Sequence, residues 1–249
     1  MENIMKMIID GSHKVYGLYS TGRIRVREPL LFCGVAASLI WLGTDIIASL
    51  RYEGYNYPFD PISGLSAVDA PTRSFIPPFI NLYLVLKAAF SLGVWNAAGK
   101  NRSLRVTAGL LLASVITDLV GSFFPWNPVE VLGTFVNMMH AILAGGITVL
   151  LIFMTIGLGA TTDGKWFRRY SYATLLLMLI LGALPLVGGV QITADQPPEW
   201  FGVTERVNAY GYMLWMMVLA IVLLRKQARI PRPEDTAKVV DAGSAANRV

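Results

Sequence analysis

The sequence predicts an all-α, polytopic integral membrane protein: a six-transmembrane-helix bundle with an ordered first extracytoplasmic loop. Three observations predict it. Hydrophobic residues make up 54% of the chain and charged residues only 15%, against about 25% charged in ordinary soluble domains. Several apolar stretches reach the length of about 20 residues that crosses a hydrocarbon core. The Lys and Arg residues fall between those stretches and alternate from turn to turn, as membrane topology requires.

Composition also excludes. A net charge of +5 points to nucleic acid only when the basic residues form one patch. Here they are dispersed, so no nucleic-acid partner is expected. Cys33 is the single cysteine, which excludes an intrachain disulfide and a zinc site built on cysteine. His13 and His140 are the only histidines and exclude a bis-histidine haem within the membrane. No GxSxG, HExxH, P-loop or Rossmann fingerprint occurs, and the cofactor is left open.

Residues 1–28 read as a cytoplasmic N-terminal segment. They lack the apolar core and small-residue cleavage site of a signal peptide, and Arg23, Arg25 and Arg27 precede the first span. The membrane domain is expected over 29–225, with spans at 30–50, 77–98, 104–124, 132–157, 170–192 and 205–224. Runs of this length must be helical, because lipid offers no partner for backbone polar groups. The alternating pattern of a barrel is absent. The 99–105 turn, the 160–169 turn and the tail carry Lys and Arg; the 125–131 and 193–204 turns carry none. Both termini are therefore expected in the cytoplasm of a cell-membrane protein, with the 51–76, 125–131 and 193–204 segments outside. Tyr52, Tyr55, Tyr57, Trp126, Trp166 and Trp200 read as an aromatic belt. Gly145, Gly146, Gly182, Gly188 and Gly189 permit close helix packing, and Pro185 is expected to kink span five. Residues 226–249 read as a disordered cytoplasmic tail.

An ionisable residue in a span costs about 2.5–3.5 kcal/mol at the centre, so each needs a reason. Asp45 lies about one turn from the outer end of span one, and Asp118 at similar depth in span three. His140 lies near the start of span four, and counting from the turn between spans three and four places it level with Asp118. An Asp118–His140 hydrogen bond between helices is the plain reading. The functional one is an acid/base or metal site, since carboxylate and neutral imidazole both bind divalent metals. Lys87, near the middle of span two, pairs with an acidic residue of another span, faces a hydrated cavity, or takes a substrate carboxylate or coupling ion. Glu205 and Arg206 open span six. They either anchor the interface, or Arg206 holds an anionic head group or pairs with Asp118 or Asp45. Ser63 and Ser66 lie in the first outer loop, and His140 is the only membrane-associated base for a nucleophilic serine.

The segment after span one has more polar detail than any other connection: YEGYNYPFDPISGLSAVDAPTR. Its Glu53-Gly54-Tyr55, Ile62-Ser63-Gly64-Leu65-Ser66-Ala67 and Ala70-Pro71-Thr72-Arg73 elements resemble those of the six-helix membrane family called domain of unknown function 998. His140 and the Glu205-Arg206 pair also look like that family's fourth- and sixth-span features. The likeness covers about residues 30–225. Gly64 stands where the family leads one to expect an acidic residue, and Asp69 where glycine is more usual. The resemblance implies a fold and a bacterial-type cell-membrane location, but no activity.

The loop is rich in aromatics and turn residues rather than polar filler, so it is expected to fold back over the outer ends of the bundle. Two function classes follow. In the first the protein binds a lipid or small amphiphile in an outward-facing polar pocket. Arg73 and Arg206 supply the charge, and Lys87, Glu205, Ser63 and Ser66 are further ligand-binding candidates. In the second, Asp45, Asp118 and His140 converge as a catalytic or metal-binding set of an intramembrane hydrolase. An ion-coupled transporter built on Lys87 and the aspartates is a further alternative. Membrane lipids are expected partners, and the oligomeric state is left open.

Overall fold

Apolar runs of 20 residues or more, with polar residues clustered between them, give the chain few options in a bilayer. In a computed structural model the protein is all-helical. Residues 28–129, 133–187 and 200–228 are described, 183–187 by their backbone alone. The expected N-terminal segment, the tail beyond Ala228, the end of span five with Gly188 and Gly189, the side chain of Pro185 and most of the 193–204 turn lie outside the described residues.

Among the described residues there are six long helices: α1 Glu28–Arg51, α2 Ile76–Ala98, α3 Arg102–Gly121, α4 Phe135–Gly159, α5 Lys165–Val187 and α6 Phe201–Ala228. All but α5 meet the length and apolarity of a membrane span over their described residues. The last 18 residues of α5, 170–187, carry no charged residue, which is enough for about 27 Å of helix. No strand occurs among the described residues.

Each helix starts where its sequence permits. Pro77 and Pro78 occupy the first turn of α2, where a missing N–H is harmless. The Asn101 side chain caps α3 by accepting from Leu104 N at 3.1 Å, and Thr134 precedes α4 as its cap. Within α4, residues Ala141–Thr148 form a π-helical segment. It contains Gly145 and Gly146, residues with little commitment to tight α geometry.

The helices pack as neighbouring pairs, α2 on α3, α3 on α4 and α5 on α6, with α6 also touching α2 and α4. Leu31 of α1, Phe90 of α2, Leu111 of α3, Ile156 of α4, Phe167 of α5 and Trp215 of α6 share one core. Outside it, large apolar side chains stand exposed on every helix, among them Leu39, Val85, Ile116, Leu150, Leu176 and Leu214. That is the inverse of a water-soluble surface and suits lipid. The α1–α2 approach is close at Gly93. A side chain on Gly93 would stand 2.9 Å from the Leu30 carbonyl carbon and 3.0 Å from Leu31 N.

Backbone cannot yield as a side-chain tip can. Gly93→Ala is therefore expected to lower stability by about 1–3 kcal/mol, the cost of overpacking. Gly43→Ala, whose added carbon meets nothing within 4 Å, serves as control. Thermal unfolding in detergent measures both, and equal midpoints would remove the claim of a tight seam.

Candidate functional site

The connection between α1 and α2 is folded rather than loose. Asp60 turns back to accept from Asn56 N at 2.7 Å, and Phe59 N donates to Asn56 O at 2.9 Å. A short 3-10 helix, Ile62–Ser66, follows and buries Leu65. Thr72 then donates to the Leu65 carbonyl at 2.6 Å, closing the loop on itself. Val68 N donates to Trp126 O at 2.9 Å, which ties the loop to the α3–α4 connection.

Its main attachment is α6. The first N–H groups of a helix have no partner within it. Here the loop supplies them: Gly202 N donates to Phe59 O at 3.2 Å, and Val203 N to Pro58 O at 3.0 Å. In return the Glu205 carboxylate accepts from Ile62 N at 2.7 Å. The fit leaves no room for a side chain at Gly202, where a Cβ would lie 2.5 Å from Asp60 O and 2.7 Å from Tyr57 O.

One turn further, Arg206 is 3% exposed and Asp45 of α1 4%. They meet side-on, Nε to Oδ2 at 3.1 Å and Nη2 to Oδ1 at 3.2 Å. Such a pair survives desolvation only when the remaining donors and lone pairs are also satisfied. They are. Nη1 donates to Tyr57 O at 2.8 Å, with Asp60 O at 3.1 Å and Gly202 O at 3.2 Å. Nη2 also donates to the Tyr55 hydroxyl at 2.6 Å. Asp45 Oδ2 accepts from Tyr210 OH at 2.6 Å, and the Tyr57 hydroxyl lies 2.6 Å from that of Tyr210. The Tyr57 ring covers the guanidinium at 3.8 Å, a cation–π contact strengthened by the absence of water. Burial pushes the Tyr55 phenol above its ordinary value despite the neighbouring Arg206. It therefore stays protonated and donates to the Pro61 carbonyl at 2.8 Å.

A second ion pair lies deeper. Lys87 Nζ of α2, 1% exposed, stands 2.8 Å from Asp118 Oδ2 of α3, whose side chain is 21% exposed. Thr148 of α4 donates to the other carboxylate oxygen at 3.3 Å. The rings of Tyr83 and Tyr212 flank the ammonium at 5.2 and 5.4 Å. Beside this pair, on the bilayer-facing seam of α2 and α3, runs a groove of about 320 Å³. Asn81, Leu84, Val85, Ala88, Val115 and Leu119 line it.

The family model described as a protein of unknown function (DUF998) matches residues 35–222. The chain belongs to the DUF998 family. No curated protein and no solved structure matches it. At Asp69, where the resemblance led one to expect glycine, this DUF998 protein holds φ 65°. Glycine reaches this region freely, and Asp is among the few other residues that tolerate it.

The carboxylates and imidazole expected to converge do not. Asp45 is bound to Arg206, Asp118 to Lys87, and His140 Nδ1 faces the Phe124 carbonyl at 2.9 Å. Among the described residues no three His, Cys, Asp or Glu side chains form a metal-binding group. Level counting failed because α4 overreaches α3. Thr148 stands beside Asp118, and His140 beside Phe124, past the end of α3. Arg206, expected to meet an anionic head group, has every nitrogen engaged within the protein. Glu205 is occupied by Ile62 N. Arg73 is exposed on the loop. Ser66 donates to the Ser63 carbonyl at 3.4 Å, and the only histidine among the described residues is turned to Phe124.

Tyr55, Tyr57 and Tyr210 are the partners of the Arg206–Asp45 pair that the sequence concealed.

Two outcomes test this clasp. Arg206→Ala strands the Asp45 charge and is expected to cost about 3–5 kcal/mol. Asp45→Ala should cost as much, and the double variant clearly less than the sum; additive losses in denaturant titrations would show that the pair is not coupled. Gly202→Ala is expected to release the loop without touching a charge. Chymotrypsin then cuts at Tyr52–Phe59 faster than in the parent, and an unchanged rate would sink the docking.

Proposed function

We propose that this protein binds a lipid or small amphiphile within the membrane, at the α2–α3 groove. The carrying observation is the groove itself: an apolar trough on the outer face of α2 and α3, lined by Leu84, Val85, Ala88, Val115 and Leu119, with Asn81 at the end nearer the start of α2. An acyl chain laid along it covers apolar surface that the two helices leave open.

The asymmetry of Lys and Arg between the turns supports cytoplasmic termini in a cell membrane, and the groove then opens towards the outer leaflet. The proposed site of binding thus moves from a polar pocket between helices under the loop to the bundle wall. The clasp of Arg206 and Asp45 holds the framework, and Lys87–Asp118 holds α2 against α3. The hydrolase reading loses the convergence of Asp45, Asp118 and His140 on which it stood.

Ala88→Trp fills the groove. Mass spectrometry of lipids carried through purification is expected to show one bound species depleted several-fold in this variant. An identical lipid profile would overturn the proposal.

A further inference from the structure

We infer that the first turns of α5 bind the head group of an anionic phospholipid, with one acyl chain lying along the helix below. This site is separate from the α2–α3 groove and does not depend on it. Its basis is register. Lys165, Arg168 and Arg169 are exposed at the start of α5, and Tyr172, Leu176 and Ile180 follow them, also exposed. Steps of three and four residues put all six on one face of the helix. The opposite face carries Phe167, Ser171 and Met178, all buried. Ser171 there accepts from Trp215 Nε1 at 2.9 Å. The basic face therefore points away from the bundle, towards lipid.

Charge says what covers this face. Among the described residues the acids at this end of the bundle are Glu28, on α1, and Asp163. Asp163 is already bonded to Lys226 at 2.6 Å. Lys165, Arg168 and Arg169 make no ion pair and no side-chain hydrogen bond with any described residue. Three cations on one turn, unanswered by protein, suit the phosphate of an anionic lipid. Near the membrane surface each such residue is worth about fivefold in affinity.

Membrane topology asks only that basic residues lie in the turn. It does not ask that they stand directly above an aromatic and an apolar stripe. The interfacial layer is about 5–8 Å thick on each side of the hydrocarbon. Tyr172 lies three residues below Arg169, about 4.5 Å along the helix, which is the depth a tyrosine favours. Leu176 and Ile180 continue about 6–12 Å further, the track of one acyl chain. Trp166 is also exposed and stacks flat on Tyr170 at 5.7 Å, bordering the cations. The start of α3 supplies the contrast. Arg102 and Arg105 are exposed there too, but Val106 and Gly109 follow on that face, and α3 contains no aromatic residue.

The test titrates the full chain in an uncharged maltoside detergent with phosphatidylglycerol or phosphatidylcholine of identical chains. Native mass spectrometry counts the bound lipid. Phosphatidylglycerol should bind about tenfold more tightly, and Arg168→Gln with Arg169→Gln should weaken it about tenfold. Both side chains are exposed and unbonded, so their replacement leaves the fold intact, which thermal unfolding checks. Arg102→Gln with Arg105→Gln removes the same charge from α3 and should leave the affinity within about twofold. Ala88→Trp, in the α2–α3 groove, should leave it unchanged. Equal binding of the two lipids overturns the proposal. So does an equal loss in the α3 variant, which would show bulk charge and not a site. Loss in Ala88→Trp would assign the lipid to the groove instead. Glycerol 3-phosphate, a head group without tails, should not displace the lipid at equal concentration; displacement would overturn the role of the apolar stripe.

Discussion

A guanidinium buried in a membrane protein must be solvated by protein or not be there. Arg206 is solvated by one carboxylate, one phenol and the carbonyls of Tyr57, Asp60 and Gly202. That single requirement fixes the course of the loop. Two of those carbonyls belong to it, and they reach Arg206 only if the chain doubles back across the bundle end. The same turn of backbone then meets the free N–H groups of α6, and Gly202 has to be bare for the approach. Desolvation, helix capping and loop shape are solved together by one stretch of chain.

The two intramembrane ion pairs are built differently because their cations differ. Arginine presents a planar fork, and the Arg206 site uses it: two contacts to one carboxylate, with the remaining donors aimed at fixed carbonyls. Lysine is a compact point charge on a flexible stem. Lys87 needs only Asp118 in front and two aromatic rings at its sides. The first pair joins the earliest helix to the last and carries the loop. The second joins α2 to α3 and, through Thr148, to α4. Neither pair leaves its cation free.

The fold was legible because its signal is long and redundant. Six runs, each near the bilayer thickness, and alternating basic turns are hard to misread. Boundaries were less so. Span six was expected from 205, since Glu205 and Arg206 look like flanking charges, yet α6 starts at Phe201 and carries both inward. Phe123 and Phe124 prolonged the apolar run of span three although the helix ends at Gly121. The pairing of Arg206 with Asp45 was one of two options visible from depth alone. The Asp118–His140 contact was not to be had by counting, because hydropathy records where a run ends but not how far one helix slides past its neighbour. Tyr57 and Tyr210 were invisible for a different reason: a tyrosine near an interface has the same sequence signature whether it faces lipid or a buried carboxylate.

The span of the Arg206–Asp45 contact, 161 residues, sets an order of events in synthesis. At roughly 5–20 residues per second, α1 and its loop emerge about ten to thirty seconds before the helix that completes them. During that interval Asp45 has no guanidinium, and the carbonyls of Pro58 and Phe59 have no N–H to receive. The nascent bundle therefore carries a visible defect at one end until its last helix arrives. A chain cut short before α6 keeps that defect permanently, and so displays its own incompleteness to any membrane protease that recognises unpaired polar groups.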